Sequence, residues 1–262
     1  MTNPDQVTRT VAIVTGASRG IGRATAIRLA RDFAAVVVVA RNAETLADSA
    51  SKIRAEGAAP LALALDLREP AAADEVVKQT LDRYGRIDAL INVAGAVPQT
   101  DLFAMTDTEW NDGLALKFHG ARRLTIKAWE ALKRARGAVV LTSGATALAP
   151  KPALAAVATI NAAIAAVAKA FSERGIADGV QVNSVLPGPV LTDRRRTMLS
   201  RYAASQKLSL DDAMPRFAAE AGISRYGQPE EIADLIAFLV SPAARWMTGT
   251  AVRMDGGEAK AI

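Results

Sequence analysis

Three glycines, Gly16, Gly20 and Gly22, follow directly on the apolar run Val11-Ala-Ile-Val-Thr15, and a stretch of helical character, 23–31, comes next. A strand, a tight glycine turn and a helix start together make a cradle for phosphate. Glycine lets the backbone come close to the anion, and the free N–H groups at the helix start point at it. A bare three-glycine spacing recurs by chance in many chains, so the flanking strand and helix carry the argument. The alternative is a glycine-rich turn near the amino terminus with no ligand.

Other residues extend this chemistry. Arg41 follows the second apolar run. An acidic residue there would bond a ribose 2′-hydroxyl, whereas arginine pairs with a 2′-phosphate. Arg19, inside the glycine loop, points the same way. Each arginine also suits a solvated surface, but two at the two expected places favour NADP(H) over NAD(H). Asp66 closes the third apolar run and offers a carboxylate to an adenine amino group. Asn92-Val-Ala94-Gly95 closes the fourth, and Gly95 allows close backbone approach. Arg194-Arg195-Arg196 suits a carboxylate or phosphate ester, a solvated flap, or a contact between subunits.

These positions need elements to hold them. Strand-like runs recur at 10–15, 35–40, 61–66, 89–93, 138–142, 181–185 and 251–254. Helix-length segments at 22–32, 43–56, 71–84, 108–134, 154–174 and 230–239 lie between them. Apolar strands alternating with helices predict an α/β protein, a single doubly wound, Rossmann-type domain over 1–262. Its parallel sheet has about seven strands, with helices on both faces. Residues of about 190–222 lack a strand and read as a partly helical flap. The alanine-rich stretch 153–170 predicts a helix buried on most sides, by the core or by a subunit partner.

Bulk properties bound the function. The chain has 262 residues, enough for a full core. It contains no cysteine, which excludes disulfide and thiolate chemistry. No residue is assigned to a metal. The first ten residues are polar, without the apolar core of a signal peptide, and apolar runs such as 36–40 are too short for a bilayer. A cytoplasmic protein without a membrane partner is expected. The net charge is +5, yet no basic helix interleaved with aromatics occurs, and aromatics are only 5%. No nucleic-acid partner is expected; an anionic cofactor or substrate explains the charge equally well.

Together these residues resemble the short-chain dehydrogenase/reductase family over nearly the whole chain. The family's Thr-Gly-x-x-x-Gly-x-Gly pattern is complete from Thr15 to Gly22, and its Asn-Asn-Ala-Gly motif appears, with one change, as Asn92-Val93-Ala94-Gly95. Pro187-Gly188-Pro189-Val190 followed by Thr192 is similar to the segment that packs on the nicotinamide amide. Arg225-Tyr-Gly-Gln-Pro-Glu-Glu231 and Thr248-Gly249 with Asp255-Gly-Gly257 are similar to its C-terminal signatures. The resemblance implies an NADP(H)-dependent oxidoreductase acting on a small molecule, assembled as a homodimer or homotetramer. It implies a coenzyme site of Gly16, Ser18, Arg19, Gly20, Ile21, Gly22, Arg41, Asp66, Leu67, Asn92, Ala94, Gly95, Pro187, Gly188, Val190 and Thr192.

The family's chemistry rests on a Tyr, a Lys four residues later, a Ser, and an Asn on the preceding long helix. Here Ser143 stands at the Ser position. In register, Val157 occupies the Tyr position and Asn161 the Lys position, and no tyrosine occurs between Tyr84 and Tyr202. Counting on from Trp110 brings Lys117 to the Asn position. Lysine and asparagine have therefore exchanged helices, and we expect them to face one pocket. There Lys117 would hold the ribose or the substrate oxygen, while Asn161 supplies neutral hydrogen bonds. The alternative is a surface lysine snorkelling from an apolar helix face. Val157 cannot donate a proton, a contribution worth about two to four orders of magnitude. Replacement donors are Lys117, Ser143, Thr142, Thr159 and His119, the last lying nearly opposite Lys117 on a helix. The catalytic candidates are Ser143, Lys117 and Asn161. Three readings stay open: an NADP(H)-dependent oxidoreductase with an atypical active site, which we favour; a catalytically degenerate NADP(H)-binding sensor or partner subunit; and a non-redox lyase or isomerase.

Overall fold

The computed structural model describes residues 10–260, so the readings made on the amino-terminal segment 1–9 and on Ala261 and Ile262 lie outside the described residues. Seven strands form one parallel sheet: β1 (Val11–Thr15), β2 (Ala35–Ala40), β3 (Ala59–Ala64), β4 (Ala89–Asn92), β5 (Ala138–Thr142), β6 (Gln181–Pro187) and β7 (Ala251–Met254). Their order is β3-β2-β1-β4-β5-β6-β7, so strand order reverses between β1 and β4, the place where such sheets open a ligand crevice.

Alternate residues of each strand feed two cores. Val11, Ile13, Val37, Leu90, Val139 and Leu141 pack on one face against α3 (Ala72–Tyr84), α5 (Ala121–Ala135) and α6 (Ala155–Asp178). Ala12, Val14, Val36, Val38, Ile91 and Val140 pack on the other against α1 (Gly20–Leu29), α2 (Ala43–Ala55) and α9 (Pro229–Val240). Burial on both faces explains why these strands read as apolar runs rather than as alternating ones.

Four elements differ from expectation. β3 begins at Ala59, with Pro60 tolerated because this is an edge strand, and it ends before Asp66. The expected helix 108–134 divides into α4 (Asp107–Gly113), a π-helical segment (Leu114–Gly120) and α5. The flap is mostly helical: α7 (Asp193–Ser205) and α8 (Leu210–Glu220) share a small core built on Leu191, Leu199, Ala218, Ile223 and Tyr226. Finally, α6 buries one face rather than most sides. Ala156, Ile160, Ile164, Ala168 and Ser172 recur every four residues toward the sheet, whereas Ala162, Ala166 and Ala170 face outward. By length and composition α6 is also apolar enough to cross a bilayer, contrary to the expectation that every run is too short. Ile164 and Ala168 lie in the sheet core instead.

Candidate active site

The crevice is built where β1 and β4 part. Gly16 holds a φ of +67°, and a Cβ there would come within 2.9 Å of the Ala94 Cα. A Cβ on Gly22 would strike the Gly16 carbonyl, which explains the need for both glycines. The Thr15 hydroxyl accepts from the Val93 and Ala94 N–H groups, each at 3.0 Å, and so ties the two strand ends together. Arg19 occupies the N-cap of α1 in extended conformation and makes no side-chain cap bond, which leaves the first-turn N–H groups to an anion. Ser18 and Ile21 are half-buried beside it, and Gly20 abuts the Thr192 methyl.

Arg41 is exposed, its guanidinium 3.9 Å from the Asp66 carboxylate. Asp66 accepts from the Arg68 N–H at 3.0 Å and from its Nη1 at 3.3 Å. Arg68 then forks onto Asp112 of α4, with Nη2 donating at 2.8 Å, while Arg123 donates to the Arg68 carbonyl at 3.1 Å. Neither Arg68 nor Asp112 was picked out from the sequence. The Leu67 side chain turns into the sheet core. Asn92 is buried too and donates to the Thr125 hydroxyl of α5 at 3.2 Å; its Oδ1 is left without a partner, as is the Thr142 hydroxyl.

The segment after β6 is held by the two C-terminal signatures. Gly188 packs so closely on Asp255 that a Cβ would lie 2.6 Å from the Asp255 Cα. Asp255 in turn accepts from the Gly257 and Ala259 N–H groups at 2.9 Å. The Gly227 N–H donates to the Pro189 carbonyl at 3.0 Å, and Val190 is buried. Pro187 ends β6, and Thr192 caps α7 by accepting from the Arg195 N–H. Arg225 forks onto Glu231 and pulls that carboxyl down to about 2. Both signatures thus act through the backbone they brace.

Lys117, Asn161 and Ser143 converge at the end of β5. The Lys117 ammonium donates to Asn161 Oδ1 and, at 3.1 Å, to the Ser143 carbonyl. Asn161 Nδ2 donates to the Thr146 hydroxyl at 2.8 Å, and the Ser143 hydroxyl donates to the Asn161 carbonyl at 2.6 Å. The π-helical segment carries Lys117 here. Two glycines make room: a Cβ on Gly95 would sit 3.0 Å from Lys117 Cδ, and one on Gly144 would sit 2.5 Å from Asn161 Nδ2. Lys117 is therefore no snorkelling surface residue. Desolvation, with Arg194 adding repulsion, lowers its pKa to about 8. An ammonium has three donors and two are used, so one N–H is open to a substrate oxygen.

The remaining candidates stand apart. Val157 lies one helical turn before Asn161, in an apolar cluster with Val97, Ala156, Ile160, Met105 and Trp110. His119 stacks edge-on against Phe118 with ring centroids 5.1 Å apart, and burial, then Arg122 and Arg123, lower its pKa. Thr159 faces outward. Arg194, exposed on the flap, donates from Nη2 to the Val97 carbonyl at 2.8 Å.

Fold and crevice define a dinucleotide-binding α/β protein. A phosphorylated dinucleotide fits the residues present, with glycines where a Cβ would clash, uncapped N–H groups at α1, and Arg41 beside Asp66. Residues 16–258 match the family described as enoyl-(acyl carrier protein) reductase. A 3-oxoacyl-[acyl-carrier-protein] reductase of Synechocystis sp. is 32% identical over 96% of this chain and 97% of its own length. The short-chain reductase protein NovJ of Streptomyces niveus is 31% identical over 98% and 99%. Among solved structures, L-sorbose reductase of Gluconobacter frateurii, complexed with NADPH and L-sorbose, superposes with a TM-score of 0.93 at 28% identity over 97% of both chains. Actinorhodin polyketide ketoreductase with NADPH gives 0.90 at 28% identity over the full length of both. The chain belongs to the short-chain dehydrogenase/reductase family of oxidoreductases.

Proposed function

We propose that the chain is an NADP(H)-dependent oxidoreductase that reduces a carbonyl group with Lys117, in place of a tyrosine, as proton donor. The observation that carries this reading is the doubly anchored Lys117 ammonium with one N–H to spare. The coenzyme assignment is supported by Arg41 and by the NADPH in the two reductase structures.

When bound, the reduced nicotinamide supplies a hydride to the carbonyl carbon. Lys117 holds the carbonyl oxygen with its third N–H and releases that proton as the oxygen takes up the π-electron pair. The neutral amine that remains has two N–H groups, which match the Asn161 Oδ1 and the Ser143 carbonyl, and a lone pair facing the new hydroxyl. With a pKa of about 8 the lysine is mostly protonated at pH 7, as reduction requires. Asn161 aligns the amine, and Ser143 pins the Asn161 carbonyl to the end of β5.

Lys117→Met tests the assignment. NADPH affinity should stay within about threefold while kcat/KM for ketone reduction falls about 10²- to 10⁴-fold. An unchanged rate would remove Lys117 from the chemistry.

A second reading is favoured by the Ser143 hydroxyl, whose proton goes to Asn161 rather than into the crevice. In it the chain binds NADP(H) as a sensor or partner subunit, with tight binding and no turnover of any carbonyl. Product formation without net coenzyme consumption would point instead to a lyase or isomerase. The outward apolar face of α6 supports assembly as a homodimer or homotetramer, and a cytoplasmic location is part of the same proposal.

A further inference from the structure

We propose that the pocket above Ser143 selects an oxo acid, with Arg194 holding the carboxylate while Lys117 takes the carbonyl oxygen; this rests on the carbonyl-reducing reading. The topology carries the argument. Arg194 lies just beyond β6, and its guanidinium bonds the Val97 carbonyl in the loop beyond β4. In the sheet β5 lies between those two strands. With neighbouring strands about 4.8 Å apart, the Arg194 side chain spans about 10 Å over the end of β5. That end carries Ser143 and the Lys117 ammonium. The Lys117 stem also lies against Gly95, two residues before Val97. Both cations therefore border one short backbone segment, 95–97.

Neither cation has an acidic partner among the described residues. Their recorded acceptors are the Val97 carbonyl for Arg194, and the Ser143 carbonyl and Asn161 amide for Lys117. Arg194 spends one of its five N–H donors on Val97, which leaves a face of the fork for a carboxylate. Desolvation, with Arg19 and Arg195 close by, lowers the Arg194 pKa, and Arg194 in turn depresses Lys117. A carboxylate on Arg194 cancels that repulsion; a neutral ketone does not. Coenzyme phosphates have other partners, at the start of α1 and at Arg41, on the far side of the β1–β4 switch point. Val97, Val157 and Trp110 supply an apolar wall beside the two cations, suited to an aryl or branched aliphatic body.

Calorimetry on the protein saturated with NADP⁺ tests this, with phenylpyruvate and its methyl ester as matched probes. The acid should bind about 10- to 100-fold more tightly than the ester, a ratio that shrinks to within about threefold in Arg194→Gln. NADP⁺ affinity should be the same in variant and wild type. Equal affinity for acid and ester in the wild type overturns the proposal, as does a ratio that survives in Arg194→Gln. Loss of NADP⁺ affinity in that variant also overturns it, because the guanidinium then serves the coenzyme pyrophosphate. Turnover is read separately: acid binding that depends on Arg194, without NADPH consumption, keeps the anion site and sinks the carbonyl-reducing reading.

Discussion

Lys117 and Asn161, on different helical segments and 44 positions apart, share a hydrogen bond at the end of β5. The family pattern places an asparagine where Lys117 stands and a lysine where Asn161 stands. Both side-chain types are kept at one locus, with their helices of origin exchanged. The consequence is electrostatic. An ammonium arriving from the π-helical segment meets the Ser143 carbonyl, Asn161 and the repulsion of Arg194, with no carboxylate to hold its proton.

Asn161→Asp places a carboxylate against that ammonium. An opposite charge at hydrogen-bond distance favours the charged amine, so the Lys117 pKa rises from about 8. The expected result is a reduction rate that persists to higher pH than in the wild type, checked by kcat/KM across pH 6–10. Asn161→Leu, which removes the acceptor, should shift the break the other way.

Gly95→Ala pushes on Lys117 without touching its charge. The new Cβ would lie 3.0 Å from Lys117 Cδ and 3.2 Å from Cγ, and the flexible stem can give way. Thermal stability should change little. Turnover should fall by about tenfold as the amine leaves its two acceptors. A melting scan and steady-state kinetics on the same preparation separate the two effects.

Arg41→Ala should weaken NADPH binding about 10- to 100-fold, the worth of a charge-assisted phosphate contact, and leave NADH binding unchanged. Fluorescence titration with both coenzymes checks this. Equal loss for the two would mean that Arg41 acts on the fold and not on the 2′-phosphate.

Glu231 ties Arg225 to the start of α9, accepting at 2.6 and 2.8 Å. Its pKa in the folded state is about 2 against an ordinary 4.5. A depressed carboxyl stabilises the fold fully above pH 4.5, and that contribution is lost as the pH falls toward 2. Glu231→Gln should therefore lower Tm by about 2 °C at pH 7 and by almost nothing near pH 2, by differential scanning calorimetry.

Much of this arrangement is legible in the sequence because it is local. Gly16, Gly20 and Gly22 lie between one strand and one helix, and seven apolar runs announce a sheet covered on both faces. The convergence of Lys117 and Asn161 follows from register alone. What is not legible depends on distant partners. Arg68 meets Asp112 across 44 positions, and nothing in either neighbourhood announces the pair. The π-helical segment is hidden too, since Leu114–Gly120 has the apolar spacing of an ordinary helix and its widening comes from packing. Leu67 and Asn92 read as lining residues by position, yet their side chains turn into the core and toward α5, because a strand-end residue faces either way.

The pH dependence of kcat/KM for ketone reduction, in the wild type and in Lys117→Arg, tests the proton-donor assignment most directly. Arginine stays charged throughout the range, so it cannot titrate as Lys117 does. The account predicts a wild-type rate that is level at low pH and falls tenfold per pH unit above about 8, with that break absent from a much slower variant. A break that survives in Lys117→Arg would contradict it and assign the proton to another group.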